Sequence, residues 1–600
     1  MIISALSNYY DILVKGGFDI PPIGYSKEKI YFEFVINKDS ELVAVVPLKQ
    51  IRKEGKKEYS VPTMMTLPQS VVKTSGKKSN FLYENAEYAI GFSTSEKEKY
   101  LKDAQEKFEI FKELHHCLLD GCSSERAKIF LKFIDKYKFD KYRDLLEPYL
   151  DGLSRGLIVF RVDGQYLHED REILNVWDEK RSENEIVMQC AITGKISRIS
   201  KIHPKIKGVK GAQTSGATIV SFNATAYESY TPESSQGLNA PIGEDIAFKY
   251  ATALNYMLES NNQKIRFNNT TIVFWAESTN PVYQDIIGLF LNPVSETKEE
   301  GEVRDIQKER IIHSFFSAIK EGRMIDFEAL EINPNTKTYI LGLSPNSARL
   351  SVRFFYVNTF DYFVNKLTEH YQDMSIEKQY KHDFNSIPFW KIFDEIKKPE
   401  AKKDSNPLLE GSLIRAIING TMYPRLLYNL VINRIRCDQD KEKVKKINYT
   451  RASIIKAYLN RLARFYDIKE LKEVLNVSLN EQTSNSAYLL GRLFAVLEKA
   501  QKDAIPEIDT TIKDRYFSSA CATPAAVFPV LLKLAQNHIS KAEYGMVSER
   551  RISEILEKMK STEFPAYLTL EEQGTFIIGY YHQVNAFYKK SEKNNLGVKV

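Results

Sequence analysis

A stretch rich in lysine and glycine, residues 190–230, contains the residue types best suited to bind phosphate. No Asp or Glu occurs from 191 to 227, and the basic residues within it are Lys195, Arg198, Lys201, Lys205, Lys207 and Lys210. Small residues then replace the charges over 211–217, GAQTSGA. Glycine permits positive φ angles and close backbone approach, and successive backbone N–H groups in such a turn can bind an anion. The pattern predicts a phosphate-binding loop, with a solvated basic hairpin as the plain alternative.

The same loop lacks the side chains that phosphate-transfer chemistry requires. Gly211 and Gly216 have the spacing of a nucleotide-binding P-loop. Ala217 and Thr218 follow them, however, where the motif needs Lys and then Ser or Thr. We therefore expect no catalytic residues and no cofactor. A nucleic-acid enzyme, either a nuclease or an NTPase acting through residues 208–216, is the alternative function.

Metal-ligating residues occur only as incomplete sets. Cys190 with Thr193 and Gly194 resembles half of a zinc knuckle, but no second CxxC is present to complete the ligands that zinc needs. His382-Asp383 is an HD dipeptide without further His and Asp ligands nearby. The sequence therefore predicts no metal site.

A second basic loop lies nearer the start of the chain, with Lys73, Lys77 and Lys78 around Gly76. Lysines on a flexible loop can contact phosphates or base edges. An ordinary exposed loop is the alternative interpretation.

The segment 411–470 is strongly basic, with 13 Lys and Arg residues and 5 Asp and Glu residues. On a helical wheel for 451–466, the apolar residues share one arc, Lys456 and Arg464 lie away from it, and Arg461 lies at its margin. This pattern predicts an amphipathic helix with a basic outer face. The candidates for nucleic-acid contacts in this segment are Arg434, Arg436, Lys445, Lys446, Arg461 and Arg464.

The composition sets limits on the class of protein. The 600 residues imply more than one domain, and the net charge of +6 is mild, so a nucleic-acid surface must consist of local patches. Five scattered cysteines argue for a reducing compartment and against a disulfide framework. The N-terminal segment has no basic region typical of a signal peptide, and no apolar run is long enough to span a membrane. We expect a cytoplasmic protein that does not enter membranes.

The hydrophobic pattern predicts two regions. Alternating apolar residues over 30–36 and 41–51 indicate a β-hairpin, and further strands are expected at 156–162, 270–276, 338–343 and 350–356, among helices. Residues 1–400 are therefore predicted to form an α+β region with mixed sheets and helices. The lysine-rich, proline-bounded stretch 397–407 marks the expected domain boundary, and residues 401–600 are expected to form an all-α helical bundle.

Several long motifs closely resemble the large subunit of the subtype I-C (Dvulg) CRISPR Cascade complex. They include IKGVKGAQTSGATIVSFNATAYESY at 206–230, LSPNSARLSVRFF at 343–355, AIINGTMYPRLL at 416–427 and FPAYLTLEEQGTFIIGYYHQ at 564–583. The resemblance extends along most of the chain. Two departures are Thr214, where we expect Ser, and the turn at 231–237, which is longer than usual.

The resemblance implies a non-catalytic subunit of a crRNA-guided surveillance complex, which senses the PAM in double-stranded target DNA and supports R-loop formation. Its expected partners are the crRNA, the target duplex, the Cascade backbone and crRNA-end-binding subunits, a small subunit and a separate helicase–nuclease. Guide pairing would read the sequence while the protein reads a short motif and the backbone. The candidate DNA- and PAM-binding residues are Lys73, Lys77, Lys78, Lys207, Lys210, Gln213, Thr214, Ser215 and Asn223.

The resemblance also places a separately translated small subunit at about 475–600. No Met lies between Met422 and Met546. We therefore expect internal initiation at a non-AUG codon, which would encode Val474, Leu475, Val477 or Leu479 in the full-length chain.

Overall fold

The structure is a computed structural model, and it describes residues 1–54, 57–71, 73, 76–95, 97–154, 156–180, 186–222, 224–227, 236–267, 269–293, 327–328, 331–397, 406–440, 445–559 and 563–594. The chain divides into two compact units. Among the described residues, the first unit comprises Met1–Ser260 and Pro345–Ser351, and the second comprises the remainder.

A mixed seven-stranded sheet organises the first unit. Its strands are Tyr25–Ile36, Leu42–Pro47, Lys49–Glu54, Lys57–Pro68, Tyr83–Asn85, Leu157–Val162 and Gln165–Tyr166. The first strand pairs antiparallel with the second and the fourth, and parallel with Leu157–Val162. The predicted hairpin is confirmed, because Asn37 Oδ1 accepts backbone N–H bonds from Asp39 and Glu41 and so shapes the turn.

Helices cover this sheet because their apolar faces match its buried residues. Phe34 and Phe160 on adjacent strands pack edge to face, and Phe111 and Phe130 from two helices join them in one aromatic core. The helices of the first unit are Ile2–Lys15, Ala86–Ile90, Glu98–Leu119, Glu125–Lys136, Arg143–Leu146, Leu150–Leu153, Arg171–Lys180 and Glu244–Glu259. A separate two-stranded hairpin, Val187–Gln189 and Ile196–Arg198, precedes the last of them.

The second unit joins a four-stranded sheet to a large set of helices. The sheet strands follow one another in the order Lys264–Phe267, Thr270–Ala276, Lys337–Asn346 and Arg349–Thr359. Every residue of the predicted strand Thr270–Ala276 is buried, and five consecutive apolar residues follow its two threonines. The helices are Val282–Leu291, Phe360–Met374, Phe389–Asp394, Pro407–Asn419, Arg425–Cys437, Tyr449–Phe465, Lys469–Lys472, Ser486–Ala504, Ile512–Ala522, Pro524–Ile539, Gly545–Glu557 and Leu570–Asn594.

The predicted fold class is confirmed, because mixed sheets and helices precede a helical C-terminal part. The compact units, however, divide the chain near residue 260, and the sheet from 264 to 359 belongs mostly with the helices that follow it. Most of the stretch at 397–407 lies outside the described residues. The boundary expected there stays a prediction.

Two helices, Ser486–Ala504 and Leu570–Asn594, cross at unusually short range in the helical part. A Cβ added at Gly491 would overlap the backbone carbonyl oxygen of Phe576, and one at Gly579 would overlap that of Tyr488. Glycine is therefore required at both positions because backbone, which cannot rotate away, occupies the space.

We expect Gly491→Ala to lower the free energy of unfolding by about 3 kcal/mol, since overpacking against backbone forces the two helices apart. Gly411→Ala is the matched control. Gly411 also lies in a helix, but a Cβ there would meet nothing within 4 Å, so this variant should be neutral or gain about 0.5–1 kcal/mol. Urea denaturation followed by circular dichroism measures both. Equal stabilities of the two variants would contradict the close crossing.

Candidate nucleic-acid interface

Residues 206–217 form a loop that is closed at its base and exposed at its tip. Ile206 and Ala217 are both fully buried and pair as an antiparallel bridge, in which their N–H groups donate to each other's carbonyl oxygens at 2.8 and 2.9 Å. Between them, the exposed residues are Lys207, Gly208, Lys210, Gly211, Gln213, Thr214 and Ser215. The sequence prediction of a loop presenting lysines and small polar residues agrees with this geometry.

Positive backbone φ angles explain why glycine occurs at three points of this loop. The φ angles are +88° at Gly208, +80° at Gly211 and +91° at Gly216. A Cβ at Gly216 would also lie 2.9 Å from Lys205 Cβ and 3.0 Å from the carbonyl oxygen of Ile206. The N–H of Gly216 donates to the carbonyl of Gln213 at 2.9 Å. This turn holds Gln213 to Ser215 at the surface.

The loop is anchored by residues distant in the sequence. Asn255, on the helix Glu244–Glu259, accepts the backbone N–H of Lys207 at 2.8 Å and donates its side-chain amide to the carbonyl of Lys205 at 3.1 Å. Thr218 pairs in parallel with Arg349, its N–H donating to Ala348 O at 3.1 Å and its carbonyl accepting from Leu350 N at 2.9 Å. These contacts fix the backbone and leave the lysine side chains of the loop exposed.

Arg349 is a residue of this region that the sequence reasoning did not select. Its guanidinium lies 4.7 Å from the ring centre of Tyr227, which is itself exposed. Arg349 belongs to the motif at 343–355, which could have drawn attention to it. The motif alone does not indicate that this segment pairs with the loop 206–217. Asn223, one of the predicted DNA- and PAM-binding residues, lies outside the described residues.

Cys190 serves a turn and lies in no metal-ligand cluster of the described residues. Its Sγ accepts backbone N–H bonds from Gly243 at 3.3 Å and Ile192 at 3.4 Å. Burial opposes ionisation of this thiol, but these N–H bonds, together with hydrogen bonds from the backbone and the hydroxyl of Thr193, outweigh burial and lower the pKa of Cys190. The described part of the chain contains no group of three or more His, Cys, Asp and Glu side chains placed to hold a metal ion.

Two of the three lysines of the second basic loop form ion pairs within the protein. Lys73 pairs with the buried carboxylate of Glu84 and lies 4.1 Å from the ring centre of Tyr88. Lys77 pairs with Asp103 at 2.6 Å and with Glu106. Lys78 is exposed, so it is the member of this predicted set best placed to meet an external phosphate.

The prediction of a basic outer face on the helix at 451–466 is wrong. Helix Tyr449–Phe465 is buried along most of its length, and Arg461 is fully buried. Its Nε donates to Asp373 at 3.1 Å, and its guanidinium lies 4.0 Å from the ring centre of Tyr423. Lys456, expected to face outwards, is also buried.

Lys446 is likewise turned inwards. It is 3% exposed, and its amine donates to the carbonyl of Lys513 at 2.8 Å. Because neither Lys446 nor Arg461 lies at the surface, the prediction that they contact a duplex is wrong.

The other four candidates in this segment differ in exposure. The side chain of Arg434 is largely buried and pairs with Asp438. Arg464 is half-exposed and binds Asp373 at 2.9 Å and Glu369 at 2.6 Å. Arg436 and Lys445 are exposed, and Lys445 donates to the hydroxyl of Tyr380. These two therefore present the most accessible charge of the predicted set.

A family model described as "CRISPR-associated protein (Cas_Csd1)" matches residues 6–588. The chain belongs to the Cas_Csd1 family. It is a CRISPR-associated protein that is similar to the large subunit of Cascade. The match covers both compact units, so the loop 206–217 and the helical part are features of one family protein. Comparison with curated proteins gives no significant match. Among the described residues, no helix has the length and apolarity needed to cross a membrane.

Proposed function

We propose that this Cas_Csd1 family protein is the non-catalytic large subunit of a type I-C Cascade complex and senses the PAM through the loop 206–217. The main support for this proposal is the geometry of the loop. Its base is closed by the bridge between Ile206 and Ala217, while two lysines and three uncharged polar side chains stand exposed between these two residues. A rigid base with exposed polar groups is the arrangement that positions side chains for recognition.

The two kinds of exposed side chain suit two kinds of DNA contact. Lys207 and Lys210 supply positive charge for phosphates, which positions a protein on a duplex without reading sequence. The amide of Gln213 can form a bidentate pair with adenine, and the hydroxyls of Thr214 and Ser215 can donate to or accept from base edges. Lys78, on the second basic loop, is proposed as an additional phosphate contact.

The proposed assembly follows from this role. The protein would bind the crRNA-guided complex through the Cascade backbone and crRNA-end-binding subunits, support R-loop formation in double-stranded target DNA, and recruit the helicase–nuclease, all in the cytoplasm. Arg436 and Lys445 are the retained candidates for contacts with the guide–target duplex or the displaced strand, with Arg434 and Arg464 as weaker ones. The small subunit made by internal translation from about residue 475 remains part of the proposal.

Single substitutions should separate phosphate contacts from base reading. Lys207→Ala and Lys210→Ala should each weaken binding of all duplexes alike and make the dependence of log K on log salt shallower by about one unit. Gln213→Ala should instead reduce the preference for the PAM-bearing duplex by about 1–3 kcal/mol. Electrophoretic mobility shift of the assembled complex across a salt series measures both.

Lys15→Ala is the matched control, since Lys15 is an exposed lysine of the same unit, at the end of the first helix. It should change neither the affinity nor the salt slope. Equal behaviour of the Lys15, Lys207 and Lys210 variants would refute the phosphate contacts. ATP-hydrolysis and nuclease assays with divalent metals address the enzyme alternative, and turnover that Gly211→Ala abolishes would establish it.

A further inference from the structure

A surface pocket in the first unit combines aromatic rings with a carboxylate and shares no residue with the loop 206–217. Its volume is about 570 Å³, within the range of about 300–1,000 Å³ that is typical of ligand pockets. The residues that line it are Pro22, Tyr25, Met65, Thr66, Tyr166, His168, Glu169 and Leu174. None of these described residues is a lysine or an arginine, so the pocket does not suit the phosphate groups of nucleic acid.

The walls of this pocket are held in place by the protein around them. Met65 and Tyr166 pack against a small buried cluster of the first sheet. The hydroxyl of Tyr166 donates to the buried carboxylate of Glu33 at 2.5 Å. The backbone N–H of Tyr25 donates to the carbonyl of Pro22 at 3.1 Å. Side chains that are already fixed lose little freedom when a ligand binds, which favours binding.

Two of the rings form a continuous aromatic wall. The rings of Tyr166 and His168 stack with their centres 5.0 Å apart and their planes at 29°. The guanidinium of Arg161, which pairs with Glu33 at 3.2 Å and does not line the pocket, lies 5.4 Å from the centre of the Tyr166 ring. The wall therefore already attracts one guanidinium within the protein, as aromatic faces do, and Tyr25 adds a third ring to the lining.

Two polar side chains of the lining have no hydrogen-bond or ion-pair partner in the part of the chain that the structure describes. They are the exposed carboxylate of Glu169 and the imidazole of His168. Burial lowers the pKa of His168 to about 4, so the ring is neutral at pH 7 and does not repel a cation. The pocket therefore offers one unpaired negative charge and one unused acceptor nitrogen beside aromatic rings.

These features together favour a planar cation as the ligand. A guanidinium group is always charged, stacks on aromatic rings and can donate two parallel hydrogen bonds to one carboxylate. The methylene groups of an arginine side chain suit the apolar surfaces of Met65 and Leu174. A neutral aromatic ligand would leave Glu169 unpaired, and a phosphate would be repelled by it.

We propose that this pocket binds an arginine side chain that a partner protein presents. Pro22, Thr66 and Glu169 are exposed, so the pocket opens to the surface and a segment of another protein can reach it. One side chain occupies only part of about 570 Å³, and neighbouring residues of the presenting segment would fill the remainder. The inference rests on the proposed membership of a multi-subunit complex and not on PAM sensing.

Saturation-transfer NMR of the full-length chain with Nα-acetyl-arginine methylamide tests the choice of ligand. Nα-acetyl-citrulline methylamide, which has nearly the same shape but no charge, is the matched control compound and should bind at least about tenfold more weakly. Absence of saturation transfer to the arginine compound, or equal binding of the two compounds, overturns the proposal.

Variants of the chain assign this binding to the pocket. Glu169→Gln should weaken binding of the arginine compound about tenfold, since it removes the charge that accepts its hydrogen bonds. Tyr25→Ala should weaken it about fivefold through loss of a ring. Glu179→Gln is the matched control, because Glu179 is an exposed carboxylate of the same unit that does not line the pocket. Equal affinities of the Glu169 and Glu179 variants would place the arginine elsewhere.

The assembled complex tests whether a partner protein is the source of the arginine. If a partner fills the pocket, the arginine compound should bind the complex at least about tenfold more weakly than it binds the free chain. Equal affinity for the complex and the free chain overturns the assignment to a partner. The free-chain measurement involves no DNA, so failure of the PAM-sensing proposal would not change its outcome.

Discussion

Replacement of Asp373 by Ala is expected to lower the free energy of unfolding of the second unit by about 3–5 kcal/mol, the typical cost of breaking a buried ion pair from one side. Asp373 is buried, and its Oδ2 accepts from Arg461 Nε at 3.1 Å and from Arg464 at 2.9 Å. Arg461 is fully buried, so removal of the carboxylate leaves a guanidinium without a counter-charge and without access to water.

The contacts that remain do not replace that carboxylate. One terminal nitrogen of Arg461 donates to the carbonyl of Ala416 at 2.8 Å and also to that of Thr421, and the guanidinium stacks on Tyr423. These groups are neutral and offset only part of the missing charge interaction.

Two comparison variants make the measurement of Asp373→Ala specific. Lys472→Ala removes an exposed pair with Asp467, 2.7 Å long, and should leave the free energy of unfolding almost unchanged. Arg461→Met combined with Asp373→Ala should recover part of the stability, because the unpaired buried charge is gone. Urea denaturation gives all three values. A loss below about 1 kcal/mol for Asp373→Ala would contradict the buried network.

The second large effect has the opposite sign: Lys456→Met should stabilise the protein at pH 7 by about 3 kcal/mol. Lys456 is buried in the helix Tyr449–Phe465, and burial lowers the pKa of its amine to about 8, with nearby Asp373 opposing the shift only in part. Since the amine has its ordinary pKa of 10.5 in the unfolded chain, the unfolded state binds the proton more tightly than the folded state.

The pH dependence follows from that sign. Below about pH 8, both states of Lys456 are protonated and the burial penalty is fully present. As the pH rises from about 8 to 10.5, the folded state loses its proton first and the penalty disappears. The stability difference between Lys456→Met and the wild type should therefore be largest at pH 7 and shrink towards pH 10.5. A difference that is independent of pH, or a destabilised variant at pH 7, would contradict this assignment.

The sequence predicts local structure here better than it predicts charge. The strands predicted at 30–36 and at 270–276 are found in the structure, because neighbouring residues decide the local hydrophobic pattern. The predicted basic face of 451–466 is not found, because an apolar arc on one side of a helix does not prevent other elements from packing against its remaining sides. The carboxylates that neutralise it, Asp373 and Glu395, come from other helices or lie far away in the chain. A count of local charges does not include them.

The same distinction applies to the candidate interface. The glycines and lysines of 206–217 predicted an exposed loop, and their positions are explained by positive φ angles and surface exposure. Its anchors, Asn255 and Arg349, were not predicted because they reach the loop only through tertiary folding. Lys73 and Lys77 were predicted to contact DNA, yet carboxylates from a separate strand and helix bind them.

Binding of a PAM-bearing duplex to the assembled complex tests the role of the loop most directly. The chain should carry Lys207→Ala, Lys210→Ala and Gln213→Ala together, and the affinities for the PAM-bearing duplex and for a duplex with a scrambled PAM should be measured at one salt concentration. Removal of two phosphate-binding lysines and one base-reading amide should weaken PAM-duplex binding about 100-fold or more and remove most of the preference between the two duplexes, while the complex still assembles. Unchanged affinity and preference in a fully assembled complex would contradict PAM sensing by this loop.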